Sequence, residues 1–445
     1  MARNHAIVMG ASMAGLMAAR ALSDFFTDVT LIEQDPCPDT VDPRRGVPQG
    51  RHTHGLLAGG REELERCFPG ITQELVAAGA TPGDVVGSAR WFFEGGCLAK
   101  FKSGLDGLAM SRPFFESHVR RRVLGLPNVR LRTESHVDGF LWSDASVAGV
   151  LTGGGTVPAD LVVDATGRGS KTPQWLEAAG YTPAVEEKVE VGLSYTTRQF
   201  HRKPGDMGGD FVAVITPTLD GKRAGVMLGI EGDRWTATMI GYHGQTSPED
   251  LEGFIAYAKS LAAPYIYDVI SRAEPIGEPR SARMPHSLRR RYELLGRFPD
   301  GLLVTGDAMC SFNPIYGQGM TVAALEGRAL REALAEEGGD LAERFFQRAA
   351  EAIESPWTIA VGNDLRMPET VGPRNAGVTL VNWYLARLQR LAHRDRDLAL
   401  AFHRVANLLD PPPTLMQPGR IWRVLTGLGV NAQPQEDKAV PAAHA

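Results

Sequence analysis

At 445 residues the chain has room for two or three domains of roughly 100–200 residues each, and so for a large buried core. Its formal net charge of -5 and pI of about 6.2 leave no basic footprint for neutralising phosphates, which excludes nucleic acid as an expected partner. No apolar run reaches the ~20 residues of a membrane-spanning helix, and the chain enters a strand where a secretory leader would have its apolar core; a cytoplasmic protein with no transmembrane segment is expected.

The first elements form a βαβ unit. Ala6-Ile7-Val8-Met9 is followed by a glycine-bearing turn, a helical stretch with Leu16, Met17, Ala19 and Leu22, and then Val29-Thr30-Leu31-Ile32. Parallel strands need such a crossover helix. From Pro36 to Gly55 runs a loop rich in Pro, Gly and Arg, and long ordered loops of this kind are commonly functional. Residues 113–124 have a helical pattern, and 129–151 reads as short strands. Leu161-Val162-Val163 and Leu302-Leu303-Val304-Thr305 are continuous apolar runs that suit a sheet covered on both faces.

Residues 189–241 alternate instead, with Val189, Val191, Leu193, Tyr195 and Thr197 on one parity, followed by strand-like runs at 211–216, 224–230 and 235–241. This predicts an antiparallel sheet with one covered face, inserted into the nucleotide domain. The segment from about 340 to 430 is helix-rich, with a break at Pro411-Pro412-Pro413. The expected division is 1–80, 111–185 and 281–340 as three parts of a nucleotide-binding domain, 81–110 and 186–280 as a substrate domain, 341–432 as a helical region and 433–445 as a disordered tail. The clusters Arg120-Arg121-Arg122 and Arg289-Arg290-Arg291 are expected on solvated faces. Cys37, Cys67, Cys97 and Cys310 lie far apart with no C-x-x-C pair, as expected of reduced thiols.

Three signatures stand at strand ends. The first is Gly10-Ala11-Ser12-Met13-Ala14-Gly15, with Glu33 closing the next strand. Gly10 permits a tight turn, Gly15 permits close helix packing, and the helix N-terminus offers amides to a pyrophosphate while Glu33 can accept from ribose hydroxyls. Ser12 stands where the motif's middle glycine falls. The second is Asp164-Ala165-Thr166-Gly167-Arg168-Gly169, and the third is Gly306-Asp307 followed by Pro314, Gly317, Gly319 and Met320. A strand-end aspartate can hold a ribitol or ribose hydroxyl, and amides at Gly319 and Met320 can face the pyrimidine end of a flavin.

With these residues the sequence resembles the group A FAD-dependent monooxygenases, and more closely the flavin-dependent epoxidases of polyether and related natural-product pathways. The resemblance also rests on Arg45-Gly46-Val47-Pro48-Gln49-Gly50-Arg51-His52-Thr53-His54 and on Phe312-Asn313-Pro314-Ile315-Tyr316-Gly317, and it spans roughly residues 5–330. It implies an α/β architecture: a Rossmann-like FAD-binding domain, an inserted antiparallel-sheet substrate domain and C-terminal helices. It also implies that Glu33, Gln34, Arg45, Arg112, Val137 and Asp307 hold FAD. Asp164 and Gly167 would lie where flavin and nicotinamide phosphates approach, and residues 46–54 would flank the isoalloxazine. No second glycine-rich βαβ fingerprint stands in the chain, so reduction by transiently docked NADPH and reduced flavin from a partner reductase both stay open.

The implied chemistry is oxygen transfer from a flavin C4a-hydroperoxide, with O2 as co-substrate, to a bulky apolar polyene, polyketide or terpenoid, by epoxidation or hydroxylation. The cofactor carries that chemistry while the protein supplies position and dryness. Tyr195, Phe211, Met227, Trp235 and Met239 are candidate liners of an apolar pocket over the flavin, against the plainer account that they fill a domain core. No metal is expected, because His52 and His54 have no carboxylate or cysteine near them in sequence. His52 and Gln49 are catalytic candidates, by hydrogen bonding to flavin or substrate, beside a structural role in the loop. Of Arg44, Arg45 and Arg51, one is expected to meet a cofactor phosphate. Two other reactions suit the same scaffold, a cyclisation without net redox change and the reduction of isoprenoid chains.

Overall fold

The computed structural model describes residues 3–38 and 40–428; the tail expected at 433–445 lies outside them. Its first layer is a parallel sheet in the order Leu302–Val304, Leu161–Asp164, His5–Met9, Asp28–Ile32, Val129–Arg132. Ala6, Ile7, Val8, Val162, Val163, Leu303 and Val304 are fully buried. Their unbroken apolar runs are what a sheet covered on both sides needs, since neither parity can face water. The helices Met13–Leu22 and Gly319–Ala335 pack on each other against this sheet. The strands Val137–Ser143, Ser146–Thr152 and Gly155–Pro158 form a small antiparallel sheet beside it.

The second layer is an eight-stranded sheet built mainly from Val185–His201, Val212–Ile215, Arg223–Ile230, Arg234–Tyr242 and Pro275–Arg291. Most of its pairs are antiparallel, and Val212–Ile215 runs parallel to Ala89–Phe93. The two 17-residue strands are its spine. At one end Glu186 and Glu187 face Arg290 and Arg289, and Arg290 and Arg291 donate to Glu186 and Glu187 at 3.0 and 2.7 Å. Strand Pro275–Arg291 crosses the division expected at 280/281: its charged and polar residues mask the alternation that marks a half-buried strand.

One face of this sheet is covered by the helices Leu251–Lys259 and Tyr267–Ile270, over a core of Phe200, Met227, Trp235, Met239, Phe254 and Ile266. The other face looks toward the C-terminal helices Leu341–Asp364, Ala376–Leu391 and Arg396–Ala406. Asp340, Asn375 and Asp395 begin those helices, each accepting from backbone N–H groups of the first turn.

The basic clusters are not solvated faces. Arg120, Arg289 and Arg290 are buried, Arg289 against Glu354 and Glu293, and Arg120 donating to the Pro38 carbonyl. Short arginine runs look alike in sequence whether their partners are water or carboxylates distant along the chain. No described helix is long and apolar enough to cross a membrane.

Candidate functional site

The three signatures meet at the C-terminal ends of neighbouring parallel strands, where Met9 pairs with Asp164 and Asp164 with Val304. Backbone-to-backbone closeness locks them together. A Cβ on Gly10, whose φ is +97°, would lie 2.7 Å from the Ala165 carbonyl oxygen; one on Gly15 would lie 1.9 Å from the Gly10 oxygen. One on Gly306 would lie 2.4 Å from the Ala14 Cβ, and Gly167 faces the Asp307 Cβ at 3.9 Å. Only glycine fits the first three of these positions.

The helices Met13–Leu22 and Gly319–Ala335 begin at this junction, and neither has a side-chain cap. Ser12 instead donates from its hydroxyl to Glu116 at 2.8 Å. Backbone amides at both helix starts are therefore left for an anion or a polar ring edge. Glu33 is buried and accepts from the Ala11 amide at 2.9 Å, the Asp35 amide at 3.1 Å and Arg44 at 3.0 Å. Arg44, Arg112 and Arg120 surround Glu116, and Arg112 also donates to the Ser12 hydroxyl at 2.9 Å. Burial opposes ionisation of Glu116, but Arg112 and Arg44 outweigh it and hold the carboxyl below its usual range. Three guanidiniums thus stand against two carboxylates beside an open helix start, an excess of positive charge that suits a pyrophosphate.

Asp307 is half-buried, and its carboxylate accepts no hydrogen bond from another described residue. Burial pushes its carboxyl upward, opposed by Arg112 and Arg168. Beneath it Glu326 is fully buried, accepting from the Gly306 amide at 2.7 Å and the Thr305 hydroxyl at 2.9 Å. Burial raises Glu326 to about 7. Sequence inspection passed over Glu326, although a lone acid within the apolar stripe of Val322, Ala323, Ala324 and Leu330 was a signal for it.

Several expected cofactor residues lie at the surface or hold protein contacts of their own. Asp164 is fully buried, and its carboxylate takes four donors from its own loop: the Thr166 amide and hydroxyl at 2.8 and 2.6 Å, Thr172 at 2.6 Å, and Ser170. It shapes the turn that presents Gly167 and has no need of a ligand hydroxyl. Arg45 and Gln34 are exposed, and the loop arginine drawn into the cradle is Arg44. Val137 is a buried core residue two places after Ser135, whose amide donates to the Glu33 carbonyl.

From the loop Pro314–Gly317 a cavity of about 1410 Å3 extends between the large sheet and the C-terminal helices. Gln49, His52, Tyr195, Phe211, Pro314 and Gly317 line it. Met227, Trp235 and Met239 do not: they point to the opposite side of the sheet and fill the core under Leu251–Lys259. Their partners in the pleat, Val226, Leu228, Thr238 and Ile240, line the cavity instead. Parity decides this. Tyr195 lies opposite Ile240 and Thr197 opposite Thr238, so the cavity face carries the even-numbered residues of that strand.

Two buried hydrogen-bond networks reach the cavity, one through His52 and one through Tyr316. His52 Nδ1 shares a 2.9 Å hydrogen bond with Thr197, which bonds Thr238 at 2.7 Å, which bonds Thr53 at 2.7 Å. The His52 ring packs edge-on to Tyr195 at 4.6 Å between centroids. Burial, then Arg51, lowers His52 to about 4, and burial, then Arg112, lowers His54 to about 3; both imidazoles are neutral at pH 7. Behind the cavity wall, Asp364 is buried and accepts from the hydroxyl of the lining residue Tyr316 at 2.9 Å and from the Asn313 amide at 2.8 Å, and burial raises it to about 7. Asn313 also donates to the Tyr242 hydroxyl at 3.2 Å. Asp364 lies beyond the motif-bearing stretch, which is why motif spacing did not find it. Among the described residues no group of three His, Cys, Asp or Glu could hold a metal ion.

The layered fold recurs in solved flavin-dependent proteins. The chain is similar to the flavin-dependent brominase Bmp2 (TM-score 0.66, 16% identity, 94% of this chain and 97% of that one). It is similar to a flavoprotein/dehydrogenase from Cytophaga hutchinsonii (0.66, 17%, 95% and 97%), and to pqsL, a probable FAD-dependent monooxygenase from Pseudomonas aeruginosa (0.62, 16%, 81% and 94%). No protein-family model matches the chain. It belongs to the family of protein Rv3254 from Mycobacterium tuberculosis (strain ATCC 25618 / H37Rv), with 36% identity over 92% of this chain and 90% of that protein.

Proposed function

We propose that the chain is an FAD-dependent monooxygenase that inserts oxygen into a bulky apolar natural-product intermediate, a polyene, polyketide or terpenoid, by epoxidation or hydroxylation. The observation that carries this reading is the interlock of three nucleotide-type signatures through Gly10, Gly15, Gly167 and Gly306, opening through Pro314–Gly317 into the large cavity. The residues present fit FAD: uncapped helix starts, a surplus guanidinium, Glu33 with accepting capacity and Asp307 with none of its own used.

Bound and reduced, FAD would supply the activation of O2; the electrons would come from NADPH or from reduced flavin delivered by a reductase. Glu33 would hold the ribose end, and the amides of Met13 and Ala14 with Arg44 and Arg112 the pyrophosphate. Asp307 would hold a ribitol hydroxyl, and the amides of Gly319 and Met320 would face the pyrimidine edge. Gln49, His52 and Tyr195 stand where they would orient the substrate. A neutral His52 can accept a hydrogen bond or donate one without placing a charge in an apolar chamber. The apolar walls formed by Val226, Leu228, Ile240 and Val361 would limit water beside the reacting centre, which would protect oxygen transfer from wasteful peroxide release. The volume exceeds that of a typical drug-sized pocket, about 300–1,000 Å3, and so favours a large substrate.

The test is the absorbance of the purified protein and the mass of the product. Yellow protein consuming reductant and O2, with one oxygen added to the product, supports the proposal. A product of unchanged mass would reassign the chain to cyclisation, two added hydrogens to chain reduction, and colourless protein that cannot be loaded with FAD would end the flavoenzyme reading altogether.

A further inference from the structure

The C-terminal helices carry large apolar side chains on their outer surface. Leu380 and Trp383 in the helix Ala376–Leu391 are 62% and 49% exposed, and Trp422, Leu425 and Leu428 are 63%, 52% and 63% exposed. These form one patch. Leu380, Trp383 and Arg387 follow one another at helical spacing on a single stripe, and Arg387 donates to the carbonyls of Val424 and, at 3.3 Å, Leu425. The stripe therefore abuts the end of the helix Pro418–Thr426, on which Trp422 and Leu425 stand one turn apart. Contiguous exposed apolar surface rimmed by polar groups marks an interaction site.

Charge selects the partner. Residues 371–428 hold eight arginines and three aspartates, with no lysine and no glutamate, a net +5 within a chain whose total is -5. The ion pairs of this stretch join Arg404 to Asp410 and Arg423 to Asp395 and Asp397. Arg374, Arg387, Arg390 and Arg420 form no ion pair among the described residues. These guanidiniums donate to backbone carbonyls, which leaves their charge without a carboxylate to neutralise it. Exposed Trp and Leu beside such arginines are the composition of an amphipathic helix lying in a headgroup layer, the apolar face entering the acyl boundary and the positive charge drawn to lipid phosphates. The cavity shares this wall: Val381 and Met416 are both exposed and among its lining residues.

We infer that the face made by Leu380, Trp383, Trp422 and Leu425 docks on an anionic bilayer surface, where an apolar substrate can pass between the leaflet and the cavity past Val381 and Met416. This goes beyond the oxygenation reading and does not depend on it, because the docking is read without turnover.

The experiment is co-sedimentation of the full chain with vesicles of phosphatidylcholine alone or mixed with phosphatidylglycerol, at low and high salt. The expected result is binding to the phosphatidylglycerol vesicles that weakens with salt, and a drop of about tenfold or more in the Trp422→Ser/Leu425→Ser variant. Leu294→Ser, which removes an equally exposed leucine outside the patch, is expected to bind as the parent does; unchanged thermal melting shows that each variant is folded. Absence of binding to charged vesicles, or binding that survives the double substitution, overturns the inference. Self-association of the chain in the absence of vesicles that the same substitution abolishes also overturns it, by assigning the patch to a second copy.

Discussion

In the cradle, contacts turn on glycine backbone: Gly15 lies against the Gly10 carbonyl, Gly10 against the Ala165 carbonyl and Gly306 against the Ala14 methyl. In the cavity they are made by side chains drawn from strands between 185 and 242 and helices beyond 341. A backbone contact at 2–3 Å tolerates one residue type, so it leaves a mark in sequence that spacing can find. A cavity wall tolerates many apolar residues, so its membership is set by which way each side chain points. The two regions should therefore respond differently to substitution.

The largest effect is expected in the cradle. Gly15→Val drives a side chain into the Gly10 carbonyl, and loss of both bound flavin and folded yield should follow, read from flavin absorbance per chain and circular dichroism; normal values for both would remove the close-approach argument. Next comes the core on the far side of the large sheet. Trp235→Ala should cost about 3–5 kcal/mol in urea unfolding and leave the flavin spectrum unchanged, whereas Tyr195→Ala should change substrate turnover far more than stability. Equal destabilisation by both would erase the distinction between the two faces of the sheet.

The two strand-end aspartates sharpen the contrast within the cradle itself. Asp307→Ala should weaken FAD binding about tenfold to a hundredfold, or ~1.4–2.8 kcal/mol, with little change in melting of the apoprotein. Asp164→Ala, which frees four donors, should lower the melting temperature first. Reconstitution titrations of the two variants, run beside apoprotein melts, would expose the opposite pattern if it exists.

The smallest effect is a pH dependence behind the cavity wall. Asp364 is held near 7 by burial against about 3.9 in an unfolded chain. Between those values the folded protein binds the extra proton, so stability falls as pH rises through the window. Asp364→Asn has no proton to lose there. Its melting temperature relative to the parent should rise between pH 5 and pH 8 by the equivalent of about 1–2 kcal/mol; a difference that does not vary with pH would mean that the carboxyl is already ionised at pH 5.

Much of the cradle was legible, because Gly10, Gly15, Gly306 and the apolar strands before them combine two independent signals, a breaker and a buried run. Arg44 was weighed and passed over for Arg45, since adjacent arginines differ only in which one the loop turns inward. Met227, Trp235 and Met239 were chosen by residue type, and what turns them from the cavity is the register that sets Tyr195 opposite Ile240, a long-range pairing that spacing along the chain does not carry. Glu326 and Asp364 are acids whose role depends on partners up to 51 residues away; the apolar stripe around Glu326 marks it as buried, and nothing local announces Asp364.

Arg290 deserves a last consequence. It sits near the end of the long strand Pro275–Arg291, paired to Glu186 of the other long strand, and donates at 2.8 Å to the carbonyl of Ala308, next to Asp307. A filled chamber that flexes those strands would tug the Asp307 turn through this guanidinium and through the Arg290 amide, which donates to the Met309 carbonyl, so guest loading on one side should register as altered cofactor grip on the other.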